Sequence, residues 1–157
     1  MKRLFTVALL AIALFSPHAA LAQNMPAGTV AATPRIVMVK IYVTDFARSE
    51  RFYKQVFDLG APRVYNATEH GFAFPDQNGI LDPNATLLVL VLTPAPRPSS
   101  PFAMTVSDID AVMSRAPAAG GAVSRPAPAT ATGNARIAMI TDPDGVPIEV
   151  IQPVARP

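Results

Sequence analysis

The sequence predicts an α+β fold in which the order strand, helix, three strands occurs twice. Three observations carry this reading. A β-branched run at residues 36–43 (IVMVKIYV) passes directly into an amphipathic helical pattern. The same succession restarts at residue 102. A proline-rich joint at 94–100 (PAPRPSS) separates the two halves, too stiff and too poor in hydrogen-bond donors to continue either element.

Each element follows from local pattern. The 36–43 run reads as a buried strand. Thr44 or Asp45 can cap the next helix by accepting from an orphan backbone N–H. Phe46, Phe52, Tyr53, Val56 and Phe57 form its apolar stripe, and Arg48, Glu50, Arg51 and Lys54 are expected to face water. Gly60 suits the left-handed position after a helix. Shorter strands are expected at 63–67 and 71–74, separated by Thr68-Glu69-His70, which reads as a turn or loop. Residues 76–84 (DQNGILDPN) are dense in turn formers. Residues 85–93 (ATLLVLVLT) give the strongest strand signal and are expected to be covered on both faces.

After the joint, 102–106 reads as a strand, and Ser107 or Asp108 caps a helix running to about Pro117. Ala119-Gly120-Gly121 closes it. Weak strands are expected at 122–125 and 136–141. Asp142-Pro143-Asp144-Gly145 forms a tight turn, with proline fixing φ and glycine taking the positive-φ position. Residues 146–152 return as the last strand. The domain reading is a first module at 35–93 and a second at 101–153.

The first 22 residues read as a signal peptide. Lys2 and Arg3 form a basic start, residues 4–15 an apolar run, Ser16-Pro17 a break, and Ala20-Leu21-Ala22 a small-x-small cleavage site. The run is short for the roughly 30 Å hydrocarbon core, so export is expected rather than a retained anchor, with no membrane association after cleavage. The sequence has no cysteine, which excludes a lipid anchor on cysteine and a disulfide framework. Residues 23–34 read as a flexible tether.

Losing Lys2 and Arg3 from 13 basic residues leaves them level with the 11 acidic ones. The remaining charges form no basic stripe, and no nucleic-acid partner is expected. There is no glycine-rich phosphate loop and no GxSxG elbow. Without cysteine, and with His70 the one histidine left after cleavage, a Cys–His pair is excluded and a Ser–His pair has a single candidate base.

The chain resembles the vicinal oxygen chelate superfamily, which includes glyoxalase I, extradiol dioxygenases and bleomycin-resistance proteins. The matching residues are Val43-Thr44-Asp45, the helix positions Ser49, Phe52, Tyr53 and Gly60, and Asp142-Pro143-Asp144-Gly145 followed by Ile148-Glu149. The resemblance covers about residues 35–153. It implies two βαβββ modules whose mixed sheet curls into a cup, with ligand in its concave face. In metal-dependent members four strands each supply one inward ligand. Aligned on the flanking motifs, two of those positions fall at Met38 and Pro101, the 85–93 strand offers no acid, histidine or cysteine, and only Glu149 keeps a carboxylate. No cofactor is therefore expected; the alternative is a divalent metal, Zn, Ni or Fe, held by Glu149 with His70 as an added donor.

Parity extends the ligand-binding expectation to Met38, Lys40 and Tyr42 on the first strand and to Thr105, Glu149 and Ile151 in the second module. Two readings of Lys40 and Glu149 stand side by side: an ion pair replacing the metal, or a lysine at the rim and a glutamate meeting water. His70 is expected as a solvated turn residue ahead of a ligand role, and Asp142 and Asp144 as turn-shaping acceptors. The expected function is metal-free binding of a small, partly apolar molecule. A glyoxalase-type lyase or isomerase using Glu149 comes second, with an extradiol dioxygenase weaker, and an interaction role third. A homodimer, by module exchange across the joint, is favoured over a single self-closed copy.

Overall fold

The computed structural model describes residues 36–74 and 85–154. The expected signal peptide, the tether at 23–34 and the turn-rich 76–84 lie outside the described residues. The first half runs β1 (Met38–Val43), α1 (Phe46–Phe57), β2 (Arg63–Asn66), β3 (Glu69–Ala73) and β4 (Leu87–Leu92). The second runs β5 (Phe102–Thr105), α2 (Ile109–Ala118), β6 (Ala122–Arg125), β7 (Ala135–Thr141) and β8 (Pro147–Pro153). This is the α+β arrangement of two βαβββ modules.

The modules repeat each other in detail that no sequence identity announces. Their sheets have the orders β1-β4-β3-β2 and β5-β8-β7-β6, each with one parallel pair and two antiparallel pairs. A register shift interrupts β2 between Val64 and Asn66, and another interrupts β6 between Val123 and Arg125. Both helices start on an aspartate: Asp45 accepts from the Arg48 amide and Asp108 from the Ala111 amide, each at 3.0 Å. Capping of this kind satisfies a donor that the helix itself leaves free. The two sheets stay separate, and β1 and β5 are both edge strands.

Alternation along each strand decides which face is covered. On β1, Ile41 and Val43 are buried while Met38 and Lys40 are exposed; on β8, Ile148 and Val150 are buried while Glu149 and Ile151 are half-exposed. At the centre of β4, Leu88, Val89 and Leu90 are all buried, so that strand is covered on both faces. The covered faces and both helices share a single apolar cluster that includes Phe52, Tyr53, Val56, Val112 and Ile140. Each fully buried side chain of this size contributes about 1.5–3 kcal/mol.

Helix α1 locks the modules together. Phe52 packs so close to Gly121 that a Cβ there would sit 2.5 Å from its ring and 2.3 Å from the Thr141 carbonyl oxygen. Beside it, Asp142 and Asp144 reach α1 from the β7–β8 turn.

Several local expectations are corrected. The left-handed residue after α1 is Asp58, with φ 56, and not Gly60. Aspartate is among the few residues other than glycine that visit this region, since its short polar side chain can hydrogen-bond locally. His70 belongs to β3 and not to a turn, since β3 begins at Glu69 and pairs with β4 along its whole length. Arg48 and Glu50 do not simply face water: each bonds a partner from a distant strand or turn. No described helix is long and apolar enough to cross a membrane.

Candidate functional site: a groove between two edge strands

A groove of about 840 Å³ runs between β1 and β5. An edge strand can present both parities to such a space, because no strand is paired along its free side. All four residues of β5, Phe102 to Thr105, accordingly line it, joined by Val39, Lys40 and Tyr42 from β1. The joint supplies one wall through Pro98, Ser99, Ser100 and Pro101, and Phe74 adds apolar surface. Mixed apolar walls with a few polar groups are the usual make-up of a small-molecule site.

The joint is more than a spacer. The Tyr42 amide donates to Ser99 Oγ at 3.4 Å, tying the joint to the free edge of β1. The Arg97 guanidinium lies 5.2 Å from the centre of the Tyr42 ring, within cation–π range. Sequence reading missed both residues. The signal available was a lone arginine inside a proline-rich segment.

Of the expected ligand-binding residues, the structure brings Lys40, Tyr42 and Thr105 together in this groove. Met38, 40% exposed at the start of β1, is not among its lining residues, nor are Glu149 and Ile151. The Lys40–Glu149 pair is corrected: Lys40 Nζ donates to Glu69 Oε1 at 2.6 Å. Register explains the choice. Lys40 pairs with Val89 and Glu69 with Val91, so the two long side chains rise from one face of one sheet with a single strand between them. Glu149 belongs to the other sheet, flanked by Ala103 and Met139. The hydrogen bond from Lys40 is the main reason the Glu69 carboxyl is held below its ordinary range. Partial burial opposes it, while the ammonium charge and Asn66 add to it.

His70 points the other way. Adjacent strand residues face opposite sides. Where Glu69 takes the Lys40 side, His70 stacks on Phe46 of α1, with ring centres 3.8 Å apart, and its Nδ1 bonds Glu50 Oε1. The expected solvated turn residue is thus a packed strand residue, 18% exposed at its side chain. The structure does not bring it to Glu149.

The two turn aspartates behave differently from each other. Asp142 Oδ1 accepts from the amides of Asp144 and Val146, as turn shaping requires, and Oδ2 accepts from the Tyr53 hydroxyl. Burial pushes the Asp142 carboxyl up, against the lowering effect of those hydrogen bonds. Asp144 accepts from the Thr44 amide and hydroxyl, from Arg48 and from Ser49. Burial would raise its carboxyl too, but the hydrogen bonds from Thr44 and Arg48 and the guanidinium charge hold it below the ordinary value.

Residues 35–150 match the family model of the Glyoxalase/Bleomycin resistance protein/Dioxygenase superfamily. The chain belongs to this superfamily. Solved structures agree on the fold. A glyoxalase-related enzyme from Fulvimarina pelagi is 24% identical with a TM-score of 0.56, over 76% of this chain and 88% of that one. A glyoxalase/bleomycin resistance protein from Albidiferax ferrireducens is 19% identical with a TM-score of 0.57, over 74% and 98%. A glyoxalase I mutant from Zea mays is 20% identical with a TM-score of 0.56, over 73% of this chain but only 45% of the maize chain. Among curated protein sequences nothing matches.

Metal-dependent members of the superfamily draw ligands from four strands. On the corresponding faces here, β1 offers Met38 and Lys40, β4 offers Leu87 and Val89, β5 offers Ala103 and Thr105, and β8 offers Glu149. Among the described residues no three His, Asp or Glu side chains come together. A methionine, a lysine, a threonine, aliphatic side chains and one carboxylate do not form the donor set a catalytic divalent cation needs.

Proposed function

We propose that this superfamily member binds a small, partly apolar molecule in the groove between β1 and β5, without a metal ion, after export from the cell. The observation that carries the reading is the lining of the groove. Side chains such as Val39, Phe74, Phe102 and Met104 supply apolar area, with Ser99, Thr105 and Tyr42 placed to orient a ligand. The donor set on the facing strands supports the metal-free part, and the basic, apolar, small-x-small start of the sequence supports export.

The deciding experiment pairs two measurements on the secreted protein. Metal analysis is expected to find well under one equivalent of Zn, Ni or Fe, and a small-molecule panel is expected to raise the melting temperature for a subset of apolar compounds. The mass of the secreted chain should correspond to cleavage after Ala22. Glu149 enters none of the ion pairs among the described residues, which keeps a glyoxalase-type reaction as the second reading. Near-stoichiometric metal that disappears in Glu149→Ala would select that reading over binding alone.

A further inference from the structure

We infer that the ligand of the groove is an amphipathic carboxylate, its apolar body lying along β5 and its anionic end meeting Lys40; this rests on the binding function proposed above. Among the described residues that line the groove, Lys40 is the one bearing a formal charge at neutral pH, and no acid is among them. An ammonium has three N–H donors, and Glu69 takes one of them. The lysine side chain is 47% exposed and the glutamate 28%, so their pairing is of the solvent-screened kind that adds little and yields readily to a competitor.

A second cation reinforces the sign. Arg97 stands over the Tyr42 ring, which itself lines the groove, and it enters none of the ion pairs among the described residues. It shares a small crevice with Asp144, but that carboxylate is already held by Arg48 at 2.7 Å. Among the described residues Lys40 and Arg97 thus stand against a single acid paired with either of them, Glu69. A cationic ligand would meet this excess directly, and a neutral one would leave it unused. A carboxylate can take the two Lys40 donors that no described residue occupies, while its hydrocarbon part covers Val39, Phe102 and Met104.

The test uses matched pairs of probes with the secreted protein: octanoate against octan-1-ol, and 4-phenylbutanoate against 4-phenylbutan-1-ol, by isothermal calorimetry. Within at least one pair the carboxylate should bind about tenfold more tightly than the alcohol. Lys40→Met should bring that ratio to about one, and Glu69→Gln, which removes the competing acid, should tighten carboxylate binding about threefold or more. Lys40 is exposed and Glu69 partly so, and unchanged circular dichroism will show that the variants fold. Alcohols binding as well as carboxylates, or a ratio indifferent to Lys40→Met, overturn the anionic assignment while leaving the groove as a binding site. Failure of every probe to bind overturns both. Ala103→Trp, placed to fill the groove from β5, should abolish binding; its retention would put the ligand elsewhere and also overturn the assignment.

Discussion

The Tyr53 hydroxyl donates to Asp142 Oδ2 at 2.9 Å, joining the middle of α1 to a turn 89 residues further along the chain. Both residues are buried, at 0% and 2% exposure, so neither has water as an alternative partner. Burial raises the phenol far above its ordinary range, with the Asp142 charge adding to it, and the tyrosine remains a donor. Removing the hydroxyl leaves a buried carboxylate oxygen without its donor. Tyr53→Phe should therefore cost about 1–3 kcal/mol in urea unfolding, with the m-value unchanged.

Asp144 and Asp142 should respond to acid in opposite senses. The Asp144 carboxyl is held below its unfolded value, so its contribution is full above the unfolded pKa of about 3.9 and is lost as pH falls through the folded one. Asp142 is raised by burial, so its charge costs stability at neutral pH, and that cost is relieved as pH falls through its folded pKa. Asp144→Asn should lose about 1.5–3 kcal/mol at pH 7, and its difference from the unaltered protein should shrink below pH of about 4. Stability measured against pH for the two proteins checks this; parallel curves would refute it.

Gly121 and Gly60 should behave as opposites. A Cβ at Gly121 meets the fixed Thr141 carbonyl as well as the Phe52 ring, whereas nothing lies within 4 Å of a Cβ at Gly60, which has no positive φ. Gly121→Ala should destabilise by about 1–3 kcal/mol or more through overpacking at the junction of the modules. Gly60→Ala should stabilise by about 0.4–1 kcal/mol by restricting the unfolded chain. Melting temperatures of the two variants give the signs directly.

His70 is expected to matter for stability and not for the groove. Its ring stacks on Phe46 and bonds Glu50, on the face away from Lys40. His70→Ala should cost about 0.5–1.5 kcal/mol beyond the loss of buried area, while ligand affinity in the groove stays the same. Thermal unfolding and calorimetry on the same variant separate the two effects.

Most of the fold was legible because it is written in local terms. The alternation of Ile41 and Val43 with Lys40 and Tyr42, the aspartate caps and the proline joint each report on a few neighbouring residues. The site was legible only in part. Parity named Lys40, Tyr42 and Thr105, three residues that line the groove, since strand periodicity names a face. It could not find Arg97 or Ser99, because a loop has no period, nor choose between Glu69 and Glu149 as partner for Lys40.

What the sequence determined by itself is the succession of elements, the faces they cover and the family to which that succession belongs. Tertiary structure alone decided which carboxylate meets Lys40, that His70 turns toward α1, and that two unpaired strand edges enclose a groove. The reason is range. Capping and alternation act over a few residues, whereas Lys40 meets Glu69 across 29 positions and Tyr53 meets Asp142 across 89, distances over which only the packed register brings side chains together.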